Sequence, residues 1–169
     1  MRCCLDWWRR IFSPDIYTRK ITMNKMFAAA ALAAACVALP VQAQFAKAED
    51  AVAYRQGAYR VLAHHFGSLG AMANDKAPFD AARAAADGEV LAVLAKLPAA
   101  GFVAGAESKG AKPAIWTEAD KFGKLNQEFV DAAGALATAA KSGDLEQIKA
   151  AFGPTAKTCK ACHDEFRQK

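Results

Sequence analysis

The chain has 169 residues and is 54% apolar, 23% charged and only 9% aromatic, so its apolar share comes mainly from alanine, and one domain is the expectation at this length. Alanine is the best helix former and is depleted from strands, so the composition points to helices and away from a sheet-built fold. The formal net charge of +5 invites a nucleic-acid or membrane partner, but most of it sits in the first 43 residues and must be located before it is used.

Residues 1–22 (MRCCLDWWRRIFSPDIYTRKIT) precede two further methionines, Met23 and Met26, and do not look like the start of a signal peptide; they read as the product of an upstream start codon. From Met23 the chain presents Lys25, an apolar run from Phe27 to Leu39, a breaker at Pro40, then Val41, Gln42 and Ala43. Those are the parts of a secretory signal peptide over 23–43, cleaved after Ala43. The apolar run of thirteen residues falls short of the roughly 20 that a membrane-spanning helix needs. A lipid anchor on Cys36 would want a bulky aliphatic residue three positions earlier, where Ala33 stands. The exported domain, residues 44–169, carries 16 Lys and Arg against 15 Asp and Glu, which removes the case for nucleic acid and for membrane insertion after cleavage. It keeps Cys159 and Cys162 in a periplasmic, oxidising setting where so close a pair needs a reason.

Four apolar patterns of helical period follow. In the first, Val52, Tyr59, Leu62, Phe66 and Leu69 recur at helical spacings. The second follows Pro78, runs through Val90, Leu91 and Leu94 to Leu97, and stops at Pro98. The third begins near Trp116-Thr117 and carries Phe122, Leu125, Phe129, Ala133 and Leu136 on one face. The fourth starts at Ser142-Gly143-Asp144, where Asp144 can cap the exposed amides while Gln147 reaches back, and continues through Leu145, Ile148 and Phe152, with a kink expected at Pro154. Each helix is amphipathic, and the short links 71–78 and 139–143 make sequence neighbours antiparallel. The predicted fold is all-α, an antiparallel up-down-up-down four-helix bundle with one longer connection at 99–113.

Near the C-terminus stands Cys159-Lys160-Ala161-Cys162-His163, the spacing of c-type haem attachment. On a helix, positions i, i+3 and i+4 share a face, so two thiols can add to the two vinyl groups of one porphyrin while the imidazole reaches the iron from the same side. Export agrees with attachment outside the cytoplasm. Other uses of the pair are weaker. A structural zinc needs four ligands, and only His64 and His65 lie beyond the cluster. A redox dithiol belongs after a strand, and a plain disulfide leaves His163 without a role.

A haem motif six residues from the end of such a bundle is similar to the class II c-type cytochromes, the cytochrome c′ family. The likeness spans residues 44–169 and includes Gln44-Phe45-Ala46-Lys47, Tyr54-Arg55-Gln56, Leu97-Pro98 with Phe102, Ile115-Trp116 and the ending CKACHDEFRQK. Class I cytochromes c differ, having the motif near the N-terminus and a methionine later. The resemblance implies one haem c per chain, covalently bound through Cys159 and Cys162 with His163 as proximal ligand. It also implies that Arg55 and Gln56 contact a propionate, that Tyr59 stands over the vacant face of the iron, and that Arg167 sits beside the proximal imidazole. The early turns of the first helix lie beside the end of the fourth in this topology, which agrees. Phe102, Phe122 and Phe129 are candidate pocket walls, with ordinary core packing as the competing role. Lys109 and Lys112 are candidates for the propionates or for solvent, and Arg167 for an ion pair with Asp164 or Glu128. His64 and His65 are out of phase with Tyr59 and read as surface or partly buried histidines. Where relatives often carry a bulky aromatic after Leu-Pro, Ala99 stands here, which predicts a more open distal face.

The expected function is that of a periplasmic high-spin haem protein binding small gases, nitric oxide and carbon monoxide by resemblance, and passing single electrons to a partner the sequence does not name. No acid–base pair or nucleophile accompanies the haem, so an enzyme is not expected. The alternative is a low-spin electron-transfer cytochrome, which needs a sulfur donor; Met72 is about 20 Å along the helix from Tyr59. A haem-free thiol or metal-binding bundle is the remaining alternative. Small alanine-rich surfaces on the first two helices suit a homodimer.

Overall fold

The computed structural model describes residues 44–168. The start-codon and signal-peptide readings over 1–43 lie outside the described residues. Helix α1 spans Ala48–Ala73, α2 Ala81–Leu94, the short α3 Ala114–Thr117, α4 Ala119–Lys141 and α5 Leu145–Phe166, with a 3₁₀ turn at Pro98–Gly101. The long helices α1, α2, α4 and α5 form the bundle: each packs on its sequence neighbour, and α1 closes the ring against α5.

Local chemistry sets the helix ends. Glu49 and Asp50 occupy the first turn of α1, where the helix dipole favours negative charge. Asn74 ends that helix by donating from Nδ2 to the Gly70 carbonyl at 2.7 Å, and the chain then turns through Asp75 at φ 56°. Asp80 caps α2 by accepting from the Arg83 amide at 3.0 Å. The second helix stops at Leu94 rather than at Leu97. Leu97 keeps right-handed helical angles, φ −83° and ψ −45°, but the amides of Lys96 and Leu97 shift to i−3 carbonyls and Pro98 brings no amide to continue the i−4 ladder. The third predicted helix is split at Glu118, whose φ −119° and ψ 45° separate α3 from α4. At α5, Asp144 Oδ1 accepts from the amides of Glu146 and Gln147 at 2.9 and 3.4 Å. Gln147 reaches back to the Asp144 carboxylate at 3.0 Å rather than to the backbone, and Ser142 Oγ accepts the Asp144 amide instead. The helix continues through Pro154 to Phe166.

The interior is divided. A main core holds Leu69, Leu91, Leu136 and Ile148, all fully buried, with Met72 among them at 3% exposure. Gly88 lets α2 approach α4 closely, since a Cβ there would stand 2.8 Å from the Ala140 Cβ. Thr155, fully buried, donates its hydroxyl to the carbonyls of Ala151 and Ala132 at 3.0 and 3.1 Å, tying α5 to α4 where Pro154 offers no amide. A second, smaller cluster of Ile115, Phe122 and Phe166 lies toward the 99–113 connection. A cavity opens alongside it.

Candidate functional site

The cavity measures about 560 Å³, within the size range of ligand and cofactor sites. Helix α5 contributes Cys159, Cys162 and His163 along one wall, as their i, i+3, i+4 spacing requires. Opposite them α1 contributes Arg55, Gln56, Tyr59 and Leu62, and α4 closes the side with Phe122, Leu125 and Phe129. Phe102 completes the wall, edge-on to Phe122 at 4.8 Å between centroids. All eight predicted site residues, Cys159, Cys162, His163, Arg55, Gln56, Tyr59, Phe102 and Phe129, line this one cavity. Phe129 lines the cavity and also packs in the main core.

Cys159 and Cys162 are half-buried and are not joined to each other by a disulfide. Burial pushes each thiol up from its ordinary value, and for Cys162 the neighbouring Cys159 adds to the effect. Partial burial lowers the His163 imidazole, the cation of Arg167 lowers it further, and Asp164 opposes both; the neutral, metal-ligating form is favoured. Tyr59 is pushed far up, first by burial and then by the two thiol groups, with Arg55 opposing, so its phenol stays neutral.

Arg55 is 2% exposed, which rules out the solvated surface charge its sequence context would ordinarily suggest. Its Nη1 donates to the Gly101 carbonyl at 2.5 Å, and Nη2 donates to the Ala106 carbonyl at 2.6 Å and to Ser108 Oγ at 3.1 Å. The guanidinium lies 4.5 Å from the Phe102 ring centroid. Gly101 permits this approach, because a Cβ there would meet the Ala51 carbonyl at 2.7 Å and the Arg55 Cβ at 2.8 Å. Two guanidinium nitrogens are thus committed to the 99–113 connection.

The expectation for the loop lysines changes. Neither Lys109 nor Lys112 lines the cavity; Lys112 Nζ donates instead to the Asp164 carbonyl at 2.9 Å. Ala99 sits in the 3₁₀ turn, and its short side chain does not reach the cavity wall. Arg167 lines the cavity beside His163, while the Asp164 carboxylate pairs with Lys160. His64 and His65 stay outside the cavity, and His65 is bound to Asp87. Arg60, Phe66, Ile115 and Asn126 line it and were missed. Helical phase could have found two of them, since Phe66 is seven residues beyond Tyr59 and Asn126 lies between Phe122 and Phe129.

These residues fit a haem. The walls are apolar, two thiols and an imidazole share one face, and Arg55, Arg60 and Arg167 line the space with no carboxylate among the described lining residues, which suits a ring bearing two propionates. The family model for cytochrome c′ matches residues 50–167. The chain is 47% identical over 126 residues to the cytochrome c′ of Alcaligenes xylosoxydans xylosoxydans, covering 75% of this chain and 99% of that one. It is 46% identical over 130 residues to that of Rubrivivax gelatinosus, covering 75% and 100%. Among solved structures, a nitric oxide complex of a substituted cytochrome c prime from Alcaligenes xylosoxidans superposes with a TM-score of 0.71 at 46% identity, covering 75% of this chain and 99% of that one. The chain belongs to the cytochrome c′ family of c-type haem proteins.

Proposed function

We propose that this chain is a periplasmic, high-spin haem protein. It carries one haem c attached through Cys159 and Cys162, holds the iron by His163 alone, and binds small gases such as nitric oxide and carbon monoxide or passes single electrons. Bound in the cavity, the haem supplies an iron with one free coordination position and a one-electron couple. The chain supplies the surroundings. His163 presents a neutral imidazole from the rim, Tyr59 and Leu62 wall the opposite face, and apolar side chains disfavour ligands that would lose hydration on entry.

One observation carries this reading. The α1 residues lining the cavity are Arg55, Gln56, Tyr59, Arg60, Leu62, Ala63 and Phe66, none of them a sulfur or imidazole ligand, while Met72 is buried in the main core. The solved relative in complex with nitric oxide supports gas binding. Binding and electron transfer rather than catalysis are proposed, with the redox partner left unnamed. A periplasmic location rests on the leader sequence; no helix among the described residues is long and apolar enough to cross a membrane. A homodimer through α1 and α2 is part of the proposal, on the small alanine-rich surfaces of those helices.

The test is a ferrous absorption and resonance Raman spectrum with carbon monoxide titrated in. A high-spin resting spectrum that converts on titration supports the proposal. A low-spin resting spectrum with a sulfur-to-iron band replaces it with the electron-carrier alternative.

A further inference from the structure

The last four carbonyls of a helix have no partner within it, and the end of α5 carries His163 in that last turn. The 99–113 connection supplies partners from outside. The Lys112 amide donates to the Phe166 carbonyl at 2.9 Å, the Gln168 amide donates to the Gly110 carbonyl at 3.2 Å, and Ala111 and Arg167 form an antiparallel bridge. The Lys112 ammonium reaches the Asp164 carbonyl at 2.9 Å, one residue beyond His163. The Arg167 amide closes on the His163 carbonyl at 3.1 Å. The carbonyls of His163, Asp164 and Phe166 are therefore all engaged, two of them by Lys112.

An attachment orients a helix end only if it is itself held. The connection is held at its other half, where Gly101, Ala106 and Ser108 accept from the buried Arg55 of α1. Trp116 Nε1 adds a bond to the Val103 carbonyl at 3.1 Å. The segment is thus braced between the helix that faces the open side of the cavity and the turn that carries the imidazole.

We propose that Lys112 is a positioning residue for His163: its ammonium on the Asp164 carbonyl, together with its amide on the Phe166 carbonyl, sets the orientation of the turn from which the imidazole reaches the iron. This rests on the assignment of His163 as axial ligand. Lys112 does not touch the cavity, so its effect travels through the backbone of α5.

The experiment compares the haem-loaded wild type with Lys112→Met, which keeps the aliphatic stem, and Lys112→Arg, which keeps the donor. Two readouts are taken: hydrogen exchange at the Arg167 and Gln168 amides, and the iron–imidazole stretching band of the ferrous protein. A hydrogen bond from a charged donor is of a size that makes local opening about tenfold easier when lost. Lys112→Met is expected to exchange those amides about tenfold faster and to displace the band. Lys112→Arg is expected to restore both. An undisplaced band in Lys112→Met overturns the proposal, as does a displaced band that Lys112→Arg fails to restore. Absence of any iron–imidazole band in the wild type overturns the axial assignment instead.

Discussion

His65 Nδ1 lies 2.7 Å from Asp87 Oδ1, joining α1 to α2 through a carboxylate that is 7% exposed. Burial raises the Asp87 pKa, but the Ser68 hydroxyl, the His65 bond and charge, and the Arg83 guanidinium outweigh it, and the net shift is downward. A lowered folded value means that the contribution is fully present above the unfolded carboxylate value, about pH 4, and is lost as pH falls through the folded one. Denaturant titrations below pH ~4 should show wild-type stability falling while Asp87→Asn stays flatter across that window. His65→Ala leaves the buried carboxylate without its nearest partner and should cost about 2 kcal/mol at neutral pH.

Cys159→Ala combined with Cys162→Ala removes both thiols from the α5 wall. Acid–acetone extraction should then strip the haem that the wild type retains. Haem that stays with the protein after extraction of the double variant would mean the attachment residues lie elsewhere.

Tyr59 is the bulkiest side chain that α1 presents opposite His163. Tyr59→Ala should speed carbon monoxide association about tenfold, the change produced by removing roughly 1.4 kcal/mol of steric barrier, without altering haem content. Stopped-flow association rates with a haem assay decide it; unchanged rates would place the entry barrier at another side chain.

Arg55→Met keeps much of the side-chain volume but leaves the carbonyls of Gly101 and Ala106 without their donor. The cost should be about 3 kcal/mol in a urea titration, and backbone exchange should rise across 99–113 before it rises in α2 or α4. Uniform loosening of all four helices would show that Arg55 acts on the bundle as a whole rather than on the connection.

The four helices and their buried faces were legible because period alone marks them, from Leu62 and Leu69 to Leu136 and Ile148. So was the reactive wall, because the offset between Cys159, Cys162 and His163 already determines that they share a face. Less visible was anything that depends on backbone partners. Arg55 resembles a solvent-facing arginine until the carbonyls of Gly101 and Ala106 close on it, and Lys112 resembles any loop lysine until the end of α5 offers it Asp164. The partnership of Asp87 with His65 crosses between helices, so the period along either helix does not reveal it. The break at Glu118 carries neither proline nor glycine to announce it.

The apolar interior is not one body: thirteen buried residues of the main core bring together α1, α2, α4 and the start of α5, while Ile115 and Phe166 gather around Phe122 in a second group. Leu62 and Phe129 of the first group also line the cavity, so the main core and the candidate haem site share a wall. The second group, Ile115, Phe122 and Phe166, lines the same cavity. Cys159 packs on the first group and Cys162 on the second, so a single group bonded to both thiols would rivet the two cores together across the cavity.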